Sequence, residues 1–409
     1  MTNEIVGVIA DDFTGATDVG GLLARTRNDV ALYSGMPTQD LLQDASVHVV
    51  ALKIRSTEVE EARAQAKEAL ARLRNAGATR IYWKICSTFD STDKGNIGPV
   101  AEALMSEMSA TYTVYCPAFP QNGRVVRDGI LYVNGVPLAE SPMKDHPLTP
   151  MRESDLVRVL SPQVSKRVSR QGQDRVATES LVEDGFSHFI ADAVDGDDLE
   201  TLGHEYGDLP LLVGGSAFAA AAYGAKDIQS VRRTPVYQSV SDGPALLISG
   251  SCSKATQEQV ARYSSSGGRV IRIDPRNLSP RGEMELIHQV ISQLGDTPLL
   301  LTSTTDPKEM RAIQAQMGAE NTSLRIEGAM ALCAAAARTA GATRFVVAGG
   351  ETSGAVTSGL GADRLSLRNE IAPGVPWCLA KDQAGHFALA LKSGNFGGPN
   401  FFLDALAAL

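Results

Sequence analysis

Short runs of apolar residues alternate with helical patterns along most of the chain. In the first half these runs predict β-strands at residues 5–10, 29–33, 47–52, 80–85, 113–115, 188–191 and 211–213. Residues 57–75 predict an amphipathic helix, because their apolar positions recur every three or four residues. Alternation of strands and helices is typical of a mostly parallel sheet covered by helices.

Two segments interrupt this alternation. Residues 129–139 alternate around Asn134-Gly135, which predicts a β-hairpin. Residues 226–243 are polar and without a sustained period, so we place a domain boundary there. Beyond it the alternation restarts, with strands predicted at residues 245–248, 269–273, 298–301, 344–348 and 387–391.

The length of the chain supports this division, since 409 residues are too many for a single core. We therefore predict an α/β fold of two domains, residues 1–230 and 244–409. Each domain would be a mostly parallel sheet covered by helices. Open sheets bind ligands at the carboxyl ends of their strands, so two such domains facing each other would leave an interdomain cleft for ligands.

Charge and composition exclude several classes of partner. The net charge of −9 argues against a nucleic-acid ligand, and the one basic cluster (Lys166, Arg167, Arg170 and Arg175) reads as a solvated helix face or loop. No apolar run is long enough for a membrane span, and the first residues lack the basic segment of a signal peptide. Five scattered cysteines without a CxxC pair indicate a reducing cytoplasm and no zinc site.

Three glycine-rich loops follow predicted strands in the second half, at residues 249–253 (SGSCS), 349–354 (GGETSG) and 393–398 (SGNFGG). Small residues at a strand end let backbone N–H groups converge on an anion. One such loop is a weak signal, because glycine is also common in turns. Three together predict a polyphosphate-sized ligand, which we interpret as a nucleotide.

The GxxxxGK[ST] spacing does not occur, and neither of the last two loops has the GxGxxG spacing. In the middle loop, Glu351 could hold Mg²⁺ through water and Thr352 could donate to a phosphate.

Carboxylates and cations cluster after predicted strands of the first half. Asp11 and Asp12 follow the first strand, where they could bind a polyol, hold a metal or take a proton; a helix N-cap is the structural alternative. Arg55 follows the third strand and offers a planar fork for a carboxylate. The fourth strand is followed by a compact charge, a hydroxyl and a carboxylate, namely Lys84, Ser87 and Asp90. These residues share one sheet edge and predict an anionic, hydroxylated small molecule, although Ser, Thr and Asp also favour turns.

Two further segments contain candidate ligand contacts. Residues 116–124 follow the fifth strand and include Asn122 and Arg124. His146 lies in a proline-bounded loop at residues 145–151, where a surface histidine without a function is equally common.

Seven motifs together resemble the four-carbon acid sugar kinases. In chain order they are IADDFTGATD, KICSTFDST, PAFPQNGR, SGSCS, GGETSG, EIAPGVP and LKSGNFGG. The resemblance runs from about Gly7 to Phe402. PAFPQNGR, combined with HPLTPM and LVRVL, is most similar to the 3-oxo-tetronate kinase subgroup.

The resemblance implies that ATP phosphorylates the terminal hydroxyl of a four-carbon sugar acid, with Mg²⁺ as cofactor. It implies acid contacts at Asp11 or Asp12, Arg55, and Lys84 with Ser87. It implies nucleotide contacts at Ser251, Ser253, Gly349, Gly350, Glu351, Thr352, Ser353 and Gly394. As a hypothesis, Asp12 orients or deprotonates the C4 hydroxyl, while Mg²⁺, Lys84 and the loop N–H groups neutralise charge.

Several alternatives stay open at this point. D-threonate or D-erythronate could replace the 3-oxo acid, and a non-catalytic acid-sugar or nucleotide sensor would belong to another class. A phosphohydrolase would need an Asp-x-Asp spacing, whereas this chain has Asp11-Asp12-Phe13. The metal ligands and the stereoisomer are left open, and a homodimer is expected on general frequency alone.

Overall fold

The fold is known from a computed structural model of the chain. The structure describes residues 5–27, 30–37, 40–42, 45–145, 149–171, 182, 185–224, 240, 242–305, 312–313, 315–372 and 374–408, with only the backbone at positions 145, 319, 320 and 369. Within these ranges, every helix is too short or too polar to cross a membrane.

The chain divides into two compact units, Met1–Val231 and Arg232–Leu409. The elements of the first unit are β1 (Val6–Ala10), α1 (Phe13–Ala24), β2 (Val30–Ser34), β3 (Val47–Ala51), α2 (Val59–Asn75), β4 (Arg80–Lys84), α3 (Ile97–Met108), β5 (Thr113–Cys116), β6 (Arg124–Arg127), β7 (Ile130–Val133), β8 (Val136–Pro137), α4 (Leu156–Leu160), β9 (Arg167–Arg170), β10 (Phe186–Ile190), α5 (Gly196–Tyr206), β11 (Leu211–Gly214) and α6 (Ser216–Tyr223).

The main sheet of the first unit is parallel, in the order β2-β3-β1-β4-β11-β5-β10-β9. Strand β1 is buried along its whole length, and its last residue, Ala10, pairs with Ala51 of β3 and Lys84 of β4. The residues that follow these three strands therefore emerge at one edge of the sheet.

A small antiparallel sheet, β6-β7-β8, contains the predicted hairpin. Its turn residues Asn134 and Gly135 have φ angles of 52° and 83°. A two-residue hairpin turn of this hand needs positive φ at both positions, which Asn-Gly adopts at low cost.

The second unit contains β12 (Ala245–Ser249), α7 (Lys254–Ser265), β13 (Arg269–Arg272), α8 (Pro280–Gln293), β14 (Leu299–Thr302), α9 (Ala319–Thr339), β15 (Arg344–Ala348), α10 (Gly350–Gly359), β16 (Arg364–Ala372), β17 (Val375–Asp382), β18 (Gly385–Lys392) and α11 (Phe401–Ala407). Its strand order is β13-β14-β12-β15-β18-β17-β16. The first five strands are parallel, and β17 is antiparallel to both neighbours. The predicted α/β class is confirmed, with mostly parallel strands in each unit.

One local prediction needs correction, and two strands, β16 and β17, were not predicted from the sequence. The basic cluster was expected in a helix face or loop, but Arg167–Arg170 forms β9 at the edge of the sheet. Edge strands tolerate charged residues, and the Arg167 guanidinium lies 3.9 Å from the centre of the Phe186 ring. Because β9 is an edge strand with charged residues, it lacks the apolar run by which the other strands were predicted.

Candidate functional site

Arg55 joins the acidic residues that follow β1 and β4. Its Nε donates to Asp11 Oδ2 at 2.7 Å and its Nη2 donates to Asp11 Oδ1 at 2.9 Å, a two-point pairing. The same Nη2 lies 2.9 Å from Asp12 Oδ2, and Nη1 lies 3.8 Å from Asp90 Oδ2. Burial opposes the charge of Arg55, but Asp11 raises its pKa well above the ordinary value. One guanidinium therefore orders three carboxylates.

Asp12 is both a helix cap and an accessible carboxylate. Its Oδ1 accepts a hydrogen bond from the Gly15 N–H at 2.6 Å, which caps α1. Its side chain is 31% exposed, so a ligand can reach it. Burial of the remainder and the neighbouring charge of Asp11 raise its pKa, while Arg55 and Lys84 act in the opposite direction. The raised pKa makes Asp12 a better proton acceptor than an ordinary aspartate.

Gly15 allows Lys84 to approach Asp12. A Cβ atom at position 15 would lie 2.5 Å from Asp12 Oδ1 and 2.9 Å from Lys84 Nζ, closer than either contact tolerates. Lys84 is buried, and its Nζ donates to the Ile85 carbonyl oxygen at 2.7 Å. The ammonium group is thus fixed beside the carboxylate that it neutralises.

The segment after β4 supplies further polar groups. Thr88 Oγ1 donates to Asp90 Oδ1 at 2.6 Å and lies 3.0 Å from Cys86 Sγ. Burial, together with the charge of Asp90, raises the pKa of Cys86 to about 11, so the thiol stays protonated at neutral pH. Ser87 is half-buried, and no side-chain hydrogen bond is assigned to it within the described structure.

Asn96 orders this site and was not predicted from the sequence. Its Nδ2 donates to the carbonyl oxygens of Ile54 at 2.6 Å and Thr57 at 2.8 Å, on either side of Arg55. These bonds fix the loop that carries the guanidinium. The partners are about forty residues away in sequence, so no local pattern indicates them.

Two further predicted acid contacts, Asn122 and Arg124, are bonded to each other. Arg124 Nη1 donates to the Asn122 carbonyl oxygen at 2.5 Å, in the segment after β5. Among the described residues, no hydrogen bond or ion pair joins Asn122 or Arg124 to the Asp11–Arg55 cluster. The Nε atom of Arg124 is buried and has no hydrogen-bond partner among the described atoms. His146 lies outside the described residues, and the roles of all three stay predictions.

A groove of about 1190 Å³ in the first unit lies away from these residues. It is lined by Arg80, at the start of β4, and by parts of α5 and α6. The predicted acid contacts follow the other ends of the strands. The volume of this groove therefore does not identify the candidate site.

In the second unit, the three glycine-rich loops follow the adjacent strands β12, β15 and β18. The Gly250 N–H donates to the Ala348 carbonyl oxygen at 3.0 Å, and the Gly349 N–H donates to that of Lys392 at 2.9 Å. Ser253 Oγ donates to the Gly394 carbonyl oxygen at 2.6 Å. The loops predicted separately thus form one continuous site.

Close contacts explain the glycines of these loops. A Cβ atom at Gly250 would lie 2.1 Å from Thr352 Oγ1, and one at Gly394 would lie 2.2 Å from Ser251 Oγ. Gly349 has a φ angle of 125°, which L-residues rarely adopt. The buried Ser353 hydroxyl lacks a hydrogen-bond partner among the described atoms. A small-residue cradle with an unused hydroxyl fits the phosphates of a nucleotide.

Lys392, the last residue of β18, forms hydrogen bonds with the third loop. It was not singled out from the sequence. It is only 2% exposed, and its Nζ donates to Thr256 Oγ1 at 3.0 Å and to the carbonyl oxygens of Ser393 and Gly394 at 3.1 Å. No carboxylate pairs with it in the described part of the chain. Burial lowers its pKa to about 7. In the sequence, its position immediately before the SGNFGG loop could have indicated that it contacts this loop.

Glu351 is the candidate for a metal contact in this unit. It is exposed in the first turn of α10, beside the middle loop. No group of three or more His, Cys, Asp or Glu that could hold a metal occurs among the described residues. Mg²⁺ commonly uses one or two carboxylates together with substrate phosphates, so a single glutamate fits that mode.

The comparisons with known proteins agree with this division of chemistry. Residues 6–222 match the family described as "Sugar-binding N-terminal domain", and residues 246–402 match the "Nucleotide-binding C-terminal domain". The protein thus has the two-domain organisation of a sugar kinase. A 3-oxo-tetronate kinase of Cupriavidus necator is 44% identical over 99% of this chain and 97% of its own length. One from Brucella melitensis is 38% identical over 98% and 94%, respectively.

Solved structures give the same result. A protein of Salmonella typhimurium LT2 superposes with a TM-score of 0.88 at 38% identity, over 98% of both chains. One from Haemophilus influenzae has a TM-score of 0.82 at 37% identity, over 98% of this chain and 99% of its own.

The chain belongs to the four-carbon acid sugar kinase family and, within it, is most like the 3-oxo-tetronate kinases. It is an enzyme, which rules against the sensor alternative. The domain limits and the expected interdomain cleft stay predictions.

Proposed function

We propose that the protein transfers the γ-phosphate of ATP to the 4-hydroxyl of 3-oxo-tetronate (3-dehydro-erythronate) and forms the 4-phosphate. One observation carries the proposal: the same chain pairs an ordered carboxylate–cation cluster with three interlocked glycine loops. The first suits a hydroxylated acid and the second suits a polyphosphate. The names of the relatives supply the choice of acid.

Arg55 has a different role in this proposal from the one expected at first. Its two-point fork already binds Asp11, so it is not free to bind the substrate carboxylate in the same way. We assign it to positioning Asp11 and Asp12. Its side chain is 25% exposed, and among the described residues Nη1 is approached only by Asp90, at 3.8 Å, which leaves one N–H direction for the acid.

Asp12 is proposed as the proton acceptor for the reacting hydroxyl. The C4 oxygen forms a bond to the γ-phosphorus, the bond from that phosphorus to the oxygen of ADP breaks, and the hydroxyl proton passes to the Asp12 carboxylate. Asp12 combines accessibility with a raised pKa, both of which suit this role. Lys84 offsets the negative charge beside it.

The glycine loops are proposed to hold the triphosphate. Backbone N–H groups and the unused Ser353 hydroxyl supply donors, while the glycines let the phosphates approach closely. Glu351 would hold Mg²⁺ together with phosphate oxygens. That ion, when bound, neutralises phosphate charge.

A coupled ADP-release assay tests the proposal. Full-length protein with Mg·ATP is given D- and L-threonate, D- and L-erythronate and their 3-oxo forms in turn. Turnover with a 3-oxo acid alone supports the proposal. Turnover with threonate or erythronate keeps the family and overturns the substrate. If no acid supports ADP formation although the nucleotide binds, then neither the proposed acid nor any of the alternative acids is the substrate.

A further inference from the structure

A second pocket lies beside the first glycine loop in the nucleotide-binding unit. It has a volume of about 360 Å³ and lies at the carboxyl ends of β13 and β14. Ligand pockets for small molecules span roughly 300 to 1,000 Å³, so this one suits a single ring system with its sugar. We propose that it binds the nucleoside end of the nucleotide, an inference that rests on the proposed function.

The residues after β14 form a wall between this pocket and the loop after β12. Ser303 and Thr304 line the pocket. On the other side, the Ser303 N–H donates to the Ser249 carbonyl oxygen at 2.9 Å, and Thr304 Oγ1 donates to that of Ser251 at 2.8 Å. Adjacent strands lie about 4.8 Å apart, so a nucleotide with its phosphates on the first loop can reach the pocket across one strand.

The lining has the chemistry that a heteroaromatic base requires. Ile273, Pro275 and Ile313 are buried and give an apolar surface. Ser303 is only 4% exposed, and its hydroxyl has no hydrogen-bond partner among the described atoms. A buried hydroxyl without a partner is costly unless a ligand satisfies it. Base nitrogens or an exocyclic group can do so.

Arg272 adds a second recognition element at the same pocket. Its side chain is exposed, and its Nη1 donates to the Thr304 carbonyl oxygen at 3.3 Å. A planar guanidinium held in this way can stack on the face of a base. Asp274 and Arg276 at the same pocket pair with each other at 2.8 Å, so the two charges largely offset one another.

The test separates the nucleoside from the phosphates. Ser303→Leu fills the pocket and removes the hydroxyl, while Ser303→Ala removes the hydroxyl only. Binding of ADP and of inorganic tripolyphosphate is measured by titration calorimetry on the full chain. We expect Ser303→Leu to weaken ADP binding at least tenfold, Ser303→Ala to weaken it a few-fold, and both to leave tripolyphosphate binding unchanged.

Ser292→Leu, at an exposed position of α8, is the matched control and should leave both affinities unchanged. Arg272→Ala provides a second variant if Ser303→Leu lowers the melting temperature; it should weaken ADP binding several-fold and spare tripolyphosphate. Unchanged ADP affinity in a folded Ser303→Leu or Arg272→Ala protein overturns the inference, as does an equal loss for tripolyphosphate. Binding is measured without any sugar acid, so failure of the proposed reaction does not affect this result.

Discussion

Lys392 Nζ and the carbonyl oxygen of Gly394 lie 3.1 Å apart, and Thr256 Oγ1 and Ser253 Oγ donate to that same oxygen at 2.7 and 2.6 Å. One carbonyl group therefore ties the third glycine loop to its own strand and to the start of α7. The ammonium contributes a positive charge beneath the loops without reaching the solvent. Two predictions follow from that charge.

Nucleotide binding is expected to take up a proton near neutral pH. A bound anion favours the charged form of Lys392, so it raises the pKa from about 7. The contribution of Lys392 to affinity is then constant well below pH 7 and decreases as the pH rises through its pKa. Calorimetric titration with ADP at pH 7.5, in buffers of different ionisation enthalpy, measures this uptake.

Lys392→Met is the matched variant for this experiment. Thr256 of α7 and Phe401 of α11 contact Lys392, and α10 packs against its strand. The charged groups on these three helices are Lys254, Glu258, Arg262, Asp404 and Glu351; none pairs with Lys392 in the described structure, and all are retained in the variant. Proton uptake of the same size in the variant would contradict the role given to Lys392. Comparison with the variant also subtracts the protonation of the nucleotide itself.

Stability should depend on pH through the same residue. The folded pKa of Lys392, about 7, is below its ordinary 10.5, so the unfolded chain keeps the proton over that interval. The contribution of Lys392 to the free energy of unfolding therefore rises between pH 7 and 10.5. Urea unfolding of the wild type and Lys392→Met at pH 6, 8 and 9.5 should show a difference that shifts in favour of the wild type. Parallel pH curves would refute this.

Gly394→Ala should impair nucleotide binding. The added Cβ would lie 2.2 Å from Ser251 Oγ, so either the Ser251 hydroxyl rotates and loses the hydrogen bond from the Ser253 N–H, or the first and third loops separate. We expect KM for ATP to rise at least tenfold in the ADP-release assay. Gly328→Ala, at an exposed position of α9, is the control, since its Cβ would meet no atom within 4 Å, and it should leave KM unchanged. Equal effects in the two variants would argue against loop contact as the cause.

Asp12→Asn should remove the proposed proton acceptor. An amide cannot take the hydroxyl proton, and general-base catalysis typically contributes about 10²- to 10⁴-fold, so kcat should fall by about 10² or more. Wild-type kcat should decrease as the pH falls through the raised Asp12 pKa, and the variant should lose that limb of the profile. Full turnover in the variant, with unchanged KM for the acid, would show that another group takes the proton.

Arg55→Lys should show that the fork, rather than the charge, orders the acid site. A single ammonium cannot reproduce the paired bonds to Asp11 and the contact with Asp12. We expect kcat/KM for the sugar acid to fall at least tenfold, with ADP binding unchanged. Arg63→Lys, at an exposed position of α2, should be neutral. If both variants retain activity, Arg55 has no positioning role.

Much of the fold could be predicted because strands and helices are encoded locally. Asp11, Arg55 and Lys84 could be grouped because parallel strands bring their carboxyl ends to one edge. The antiparallel pair β16 and β17 was missed, although Leu365 and Leu367 alternate with polar residues as in a half-exposed strand. The groups that hold the loops could not be found this way. Lys392 and Thr256, for example, are 136 residues apart in sequence.

Homodimerisation, a cytoplasmic location and the roles of Asn122, Arg124 and His146 stay predictions. The oligomeric state would be measured by light scattering of the purified chain. For the three residues, alanine variants in the same ADP-release assay would show whether KM for the acid changes.

The bond between Ser253 and Gly394 can form only late in the synthesis of the chain. The two residues are 141 positions apart, and translation adds about 5 to 20 residues per second, so roughly 7 to 28 s separate their synthesis. During that interval a nascent chain has its first unit and the first glycine-rich loop, but the third loop has not been made. If the three loops hold ATP as proposed, a ribosome-bound chain interrupted there should bind it more weakly than the finished protein does.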